Sequence, residues 1–300
     1  MKALNHLIVR ALPLVPTPIV RRVASRYVAG ETLEEAVRVV RRLNAEGCLA
    51  TLDVLGEDTT RLEEAGDAVA QYERALEAIA AEGLEANVSV KLTALGLKLD
   101  PAYCRTAFAR IVAAARAREN FVRIDMEDSS VTEETIRIFL ECRGRGEPVG
   151  LVLQAYLRRT AADADRAADV HANVRVCKGI YLEPPRIAYQ DREEIRESYA
   201  ATVKTLLARG CYVGIATHDP PLVERALATL AALRVPREGY EFQMLLGVAS
   251  DLRRRLVGAG HRLRVYVPYG RSWQAYSVRR LKENPAIAGH VVKSLWKRGR

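Results

Sequence analysis

Short β-branched runs alternate along the chain with longer segments of helical period. The runs are 48–55 (CLATLDVL), 87–93 (NVSVKLT), 121–127 (FVRIDME), 150–157 (GLVLQAYL), 173–178 (NVRVCK), 212–217 (YVGIAT), 240–246 (YEFQMLL) and 263–268 (LRVYVP). Their length and β-branched content predict eight strands. Between them, Ala/Leu/Glu/Arg-rich stretches such as 60–82, 101–118 and 192–208 repeat apolar residues at three- and four-residue intervals and predict helices. Asp100-Pro101 and Asp219-Pro220 each place a capping residue before a proline, which predicts two helix starts. Eight β/α units in about 250 residues predict a (β/α)₈ TIM-type barrel of class α/β. A doubly wound sheet would carry a Gly-rich turn after its first strand, and 53-DVLGED-58 is not GxGxxG. No Pro/Gly/Ser-rich linker interrupts the pattern. One domain over 1–300 is expected, with an N-terminal helical extension over 1–46.

Composition changes this picture little. Apolar residues make up 49% and charged residues 28%, the balance of a soluble globular chain. No run longer than ten residues lacks Asp, Glu, Lys or Arg, so no membrane-spanning helix is expected. Asn5, His6 and Arg10, followed by Pro13, Pro16 and Pro18, do not form a signal peptide. The five cysteines are scattered, which suits reduced thiols and a cytoplasmic setting. The net charge of +9 sits at the ends. Residues 1–30 carry +5 and 284–300 carry +4, so 31–283 is neutral overall. A neutral body argues against nucleic-acid binding. Two basic ends suit an anionic membrane surface, which sets peripheral attachment against the plainer reading of solubilising tails.

A barrel enzyme carries its chemistry at the C-terminal ends of its strands. Asp53, Lys91, Asp125, Glu127, Gln154, Arg175, Lys178, Thr217, His218, Gln243 and Tyr266 all fall in or just after the predicted strands. In 121–127 the alternation puts Arg123, Asp125 and Glu127 on one face, and Arg123 is expected to pair with a neighbouring acid. Lys91 between Val90 and Leu92 is poorly explained as a solvated lysine, whereas His218 reads equally well as a core histidine. No HExxH or clustered His/carboxylate spacing points to a metal, and no P-loop is present. In 266-YVPYGRSWQAYSVRRLKEN-284 a strand leads into a helix bearing Tyr276, Arg279, Arg280 and Glu283. Paired arginines suit a carboxylate, which the guanidinium fork grips with two bonds, although a solvated basic face has the same spacing.

With these residues assembled, the sequence resembles the proline dehydrogenases in their short bacterial single-function form. The matching segments are 52-LDVLGE-57, 88-VSVKLTALGL-97, 122-VRIDMED-128, 151-LVLQAYLRRT-160, 174-VRVCKGIYLEP-184, 215-IATHD-219, 241-EFQMLLG-247, 265-VYVPYG-270 and 276-YSVRRLKE-283. They follow one another over nearly the whole chain.

The resemblance implies a distorted (β/α)₈ barrel with FAD held non-covalently at the strand C-termini. It implies oxidation of L-proline to Δ1-pyrroline-5-carboxylate, with electrons passed on to a quinone. Lys91, Arg279 and Arg280 would hold the substrate carboxylate, and Tyr266 would pack on the proline ring. Asp125 would border the substrate, and Arg175 would sit near the reactive edge of the flavin. Met126, Gln154, Lys178, Gly179, Ile180, Thr217 and His218 match FAD-contacting positions. The mouth of the barrel should then concentrate positive charge. Ile287 stands where the family often has asparagine, and Cys177 and Ile180 replace the usual valine and alanine. Two enzyme alternatives stay open: a hydroxyproline dehydrogenase, and a lyase using Lys91 or Lys178 as a Schiff base. A non-catalytic scaffold with basic ends is the third.

Overall fold

The computed structural model describes residues 26–273. Its strands are β1 Leu49–Val54, β2 Ala86–Val90, β3 Val122–Ile124, β4 Val149–Gln154, β5 Asn173–Cys177, β6 Tyr212–Ala216, β7 Tyr240–Leu245 and β8 Leu263–Tyr269. Each pairs in parallel with the next, and β8 pairs with β1, closing an eight-stranded barrel. The helices are α1 Leu33–Ala45, which precedes β1, then α2 Leu62–Ala81, α3 Pro101–Arg116, α4 Thr132–Gly144, α5 Thr160–Asp169, α6 Arg192–Ala208, α7 Pro220–Ala232 and α8 Ser250–Gly258. Of the expected N-terminal extension, α1 lies among the described residues. It starts at a capping box, in which Thr32 accepts from the Glu35 N–H and the Glu35 side chain reaches back.

Strand parity sorts the core. Leu52, Val88, Val90, Ile124, Leu151, Val174, Val176, Val213, Ile215, Phe242, Val265 and Val267 are buried in one cluster with the helix faces. Alternate residues turn inward. These are Thr51, Asp53, Asn87, Ser89, Arg123, Arg175, Glu241, Gln243, Arg264 and Tyr266, and their polar groups bond across the barrel. Branched aliphatic side chains fill the usual barrel interior, so this one is unusual in being polar. Room for it comes from glycine. A Cβ on Gly150 would stand 2.6 Å from Arg123 Nη1, and one on Gly214 would stand 2.5 Å from Gln243 Nε2.

Two expectations need correction. The third strand ends at Ile124, not near 127. The Asp125 N–H still donates to the Val90 carbonyl at 2.9 Å, but Met126 and Glu127 lie beyond the strand. Among the described residues Arg123 does not pair with an acid. Its guanidinium donates to the Leu151 carbonyl at 2.9 Å and to the Asn173 carbonyl at 2.8 Å, and it lies 5.0 Å from the Phe121 ring centroid. Burial, followed by repulsion from Arg175, lowers its pKa to about 9.

Candidate active site

The C-terminal ends of β8, β1, β2 and β3 carry a compact cluster of charge. Lys91 follows β2, and its Nζ lies 2.8 Å from Asp53 Oδ1 and 3.7 Å from Asp125 Oδ2. Asp125 Oδ1 accepts from Ser89 Oγ at 2.6 Å and from Arg175 Nη1 at 2.7 Å, while its Oδ2 accepts from the Tyr266 hydroxyl at 2.7 Å. Tyr266 also stands 3.4 Å from Lys91 Nζ, and the Arg175 guanidinium carbon lies 5.2 Å from its ring centroid. Arg175 thus reaches from β5 across the interior to the far wall. Lys91, Asp125, Arg175 and Tyr266, named from the sequence, are brought together.

Burial and charge set the ionisation of this cluster. Burial opposes charge on Asp125, but Arg175, Lys91 and the bonds from Ser89 and Tyr266 outweigh it and hold the carboxyl below its ordinary range. Asp53 is wholly buried, and burial together with Asp125 raises its pKa against the pull of Lys91. Lys91 loses solvent too, yet the two aspartates keep it firmly protonated. Burial and both aspartates keep Tyr266 a phenol that donates. Among the described residues, two carboxylates therefore balance Lys91 and Arg175. The excess positive charge expected at the mouth is absent from this cluster. Arg279 and Arg280, which would add it, lie outside the described residues.

The opposite sector, at the ends of β3 to β6, holds the residues expected to contact a cofactor. Gln154 is buried; its Nε2 donates to the Glu127 carbonyl at 2.8 Å, and its Oε1 has no partner among the described residues. Met126 and Thr217 are buried, and Ile180 is half-buried. Gly179 has φ +108°, and a Cβ there would stand 2.0 Å from the Tyr156 ring, so the backbone after β5 lies flat on that ring. Lys178 Nζ lies 3.1 Å from Asp219 Oδ2. Arg196 grips the same carboxylate with Nε and Nη2, each at 3.0 Å, and Arg192 stands 3.8 Å away. Arg196 also pairs with Glu193, so Lys178, Arg192 and Arg196 outnumber the two acids, Asp219 and Glu193, by one, and the Gln154 amide oxygen is left without a partner among the described residues. A dinucleotide with a diphosphate and a polar ring fits that donor set. His218 is partly committed elsewhere: its Nε2 accepts from the Leu245 N–H at 2.8 Å.

Asp53 was expected at the end of the first strand without an assigned role and Asp219 only as a helix start, while Ser89 and Arg196 were not expected in the site. Ser89 was signalled by parity, since Asn87, Ser89 and Lys91 share one face of β2. Asp219 starts α7, as its Asp-Pro pair predicts, but its side chain makes no capping bond and is spent on Lys178 and Arg196 instead.

A closed parallel barrel with buried, mutually perturbed ionisable groups at its C-terminal mouth defines a barrel enzyme. The family signature described as proline dehydrogenase matches residues 36–293. Proline dehydrogenase 1 of Bacillus subtilis strain 168 is 38% identical over 275 residues, covering 92% of this chain and 91% of its own. Proline dehydrogenase of Deinococcus radiodurans is 36% identical over 279 residues, covering 91% and 90%. Among solved structures, proline utilization A from Bdellovibrio bacteriovorus, inactivated by N-propargylglycine, superposes with a TM-score of 0.82 at 26% identity. That match covers 88% of this chain and 33% of the longer protein. The chain belongs to the proline dehydrogenase family.

Proposed function

We propose that this protein oxidises L-proline to Δ1-pyrroline-5-carboxylate with FAD as its cofactor and a quinone as the final electron acceptor. The observation that carries the reading is the Lys91–Asp125–Tyr266–Arg175 cluster, in a chain whose bacterial relatives are named proline dehydrogenases. Bound flavin supplies the hydride-accepting chemistry. Gln154, Lys178, Gly179, Ile180, Thr217, His218 and Met126 would hold it.

The chain's own groups bind and orient. Lys91, with Arg279 and Arg280, holds the carboxylate. The Tyr266 ring packs against the pyrrolidine, its hydroxyl fixed by Asp125. Arg175 keeps a cation beside the cofactor, where negative charge develops as the substrate is oxidised. Asp125 stays ionised and anchors both Tyr266 and Arg175, so it acts by position and charge, not by covalent chemistry.

The lyase alternative needs a neutral lysine. Lys91 is held protonated by two aspartates and Lys178 is tied to Asp219, which weighs against both candidates. Hydroxyproline remains the closer alternative, and Tyr266 favours the unsubstituted ring. The purified protein should show a flavin spectrum and a higher kcat/KM for L-proline than for hydroxyproline. A colourless protein trapped on Lys91 or Lys178 by borohydride would replace this reading with the lyase.

A further inference from the structure

Arg175 is anchored from beneath as well as from above. Its Nε donates to Gln243 Oε1. Gln243 Nε2 in turn donates to Glu241 Oε1, which also accepts from Arg264 Nε at 2.8 Å. The second Glu241 oxygen accepts from the Tyr212 hydroxyl at 3.0 Å. Glu241 and Gln243 are both buried and both point inward from β7. The order of donors and acceptors is forced. A guanidinium Nε–H can only donate, and an ionised carboxylate can only accept. The amide between them must therefore turn its oxygen to Arg175 and its nitrogen to Glu241. Arg264 fixes Glu241, Glu241 fixes the flip of Gln243, and Gln243 fixes the Nε edge of Arg175. With Nη1 on Asp125, Arg175 is held on two edges. Nη2 is left as the one guanidinium nitrogen without a partner among the described residues.

The neighbouring strand makes room for this arrangement. A Cβ on Gly214 of β6 would lie 2.5 Å from Gln243 Nε2 and 2.9 Å from its Cδ. Any side chain there would push the amide off its line to Arg175.

We propose that Gln243, oriented by Glu241 and accommodated by Gly214, is a positioning residue that aims the Arg175 guanidinium at the reacting centre. The proposal rests on the flavin-dependent reading above. It predicts that disturbing the amide slows hydride transfer while leaving proline binding nearly alone, because the interaction sharpens as charge develops.

The test is stopped-flow reduction of the bound flavin by L-proline, with the flavin midpoint potential as a second readout. Gln243→Leu and Gly214→Ala should each slow limiting reduction about 10- to 100-fold, the scale of a misplaced catalytic group. Proline affinity should stay within about threefold, since no substrate contact is removed. The potential should become more negative as the cation drifts away. Gly214→Ala matters most, because it removes no polar group and changes neither the Arg175 nor the Gln243 side chain itself. Arg175→Lys lacks the Nε–H, so adding Gln243→Leu to it should cost nothing further. Unchanged reduction rates in both single variants would overturn the proposal, as would a full additional loss in the Arg175→Lys background. Wild-type protein without flavin, or not bleached by proline, would remove the earlier reading and this one with it. Wild-type bleaching with unaffected variants would remove this one alone.

Discussion

Lys91 stands between Asp53 and Asp125, and its removal strands the deeper of the two. Asp53 is fully buried, so Lys91→Met should cost about 3 kcal/mol of stability at neutral pH, the penalty of breaking a buried pair from one side. Adding Asp53→Asn should return much of that loss in urea unfolding; no recovery would mean that the pair contributes little. Glu127 offers a second test. Its carboxylate accepts from the Thr93 N–H at 3.0 Å and from the Thr93 hydroxyl. Burial and Glu57 raise its pKa from 4.5 to about 7, against Thr93 and Lys91, and Cys104 is the other titratable group influenced by its charge. A raised acid is stabilising while protonated. Its contribution is complete below pH 4.5 and is lost as pH rises through about 7. The stability difference between wild type and Glu127→Gln should therefore fall over that window by up to about 1.4 kcal/mol per pH unit. A flat difference would show that Glu127 is ionised throughout. At this scale the sequence was legible wherever a charge interrupted an apolar run, as at Lys91 and Asp125. It set Ser89 and Gln243 on inward-facing positions but not their roles, which depend on which far strand they meet.

Helix starts show where local signals suffice and where tertiary structure overrides them. Asp100 accepts from the Ala102 and Tyr103 N–H groups and caps α3, so Asp100→Ala should cost about 1 kcal/mol in thermal or urea unfolding. Asp219 has the same Asp-Pro signal, but Lys178 and Arg196 capture its side chain. Two elements 23 and 41 residues away cannot be read from a dipeptide. The third strand was overestimated for a related reason. Alternation in 121–127 persists past Ile124, although the strand ends there and Asp125 keeps only its N–H bond to the Val90 carbonyl. The β5 loop yields another expectation. Gly179 combines φ +108° with the Tyr156 ring against its back. Gly179→Ala should displace the loop and weaken FAD binding about tenfold, the effect of 1–2 kcal/mol of strain. Flavin retained after gel filtration measures it, and full retention would place the cofactor away from this loop.

As a whole, the molecule is a neutral barrel with basic ends, and the eight-unit pattern made the barrel legible before any contact was known. Periodicity did not show that the interior is polar, because Arg175, Gln243, Glu241 and Arg264 form one network only after the barrel closes. No helix among the described residues is long and apolar enough to cross a membrane. The +5 and +4 ends should instead bind anionic vesicles at low salt and release them at high salt, each basic residue contributing on the order of 1 kcal/mol. Flotation at two salt concentrations checks this, and absence of binding at low salt would mark the ends as solubilising tails. In the proposed reaction, charged residues from several strands of the barrel converge to present proline to a flavin. Anaerobic titration of the purified protein with L-proline is the decisive measurement. The flavin spectrum should bleach as proline is added, with formation of Δ1-pyrroline-5-carboxylate, and recover on addition of a quinone. A flavin that proline leaves oxidised would contradict the proposed reaction.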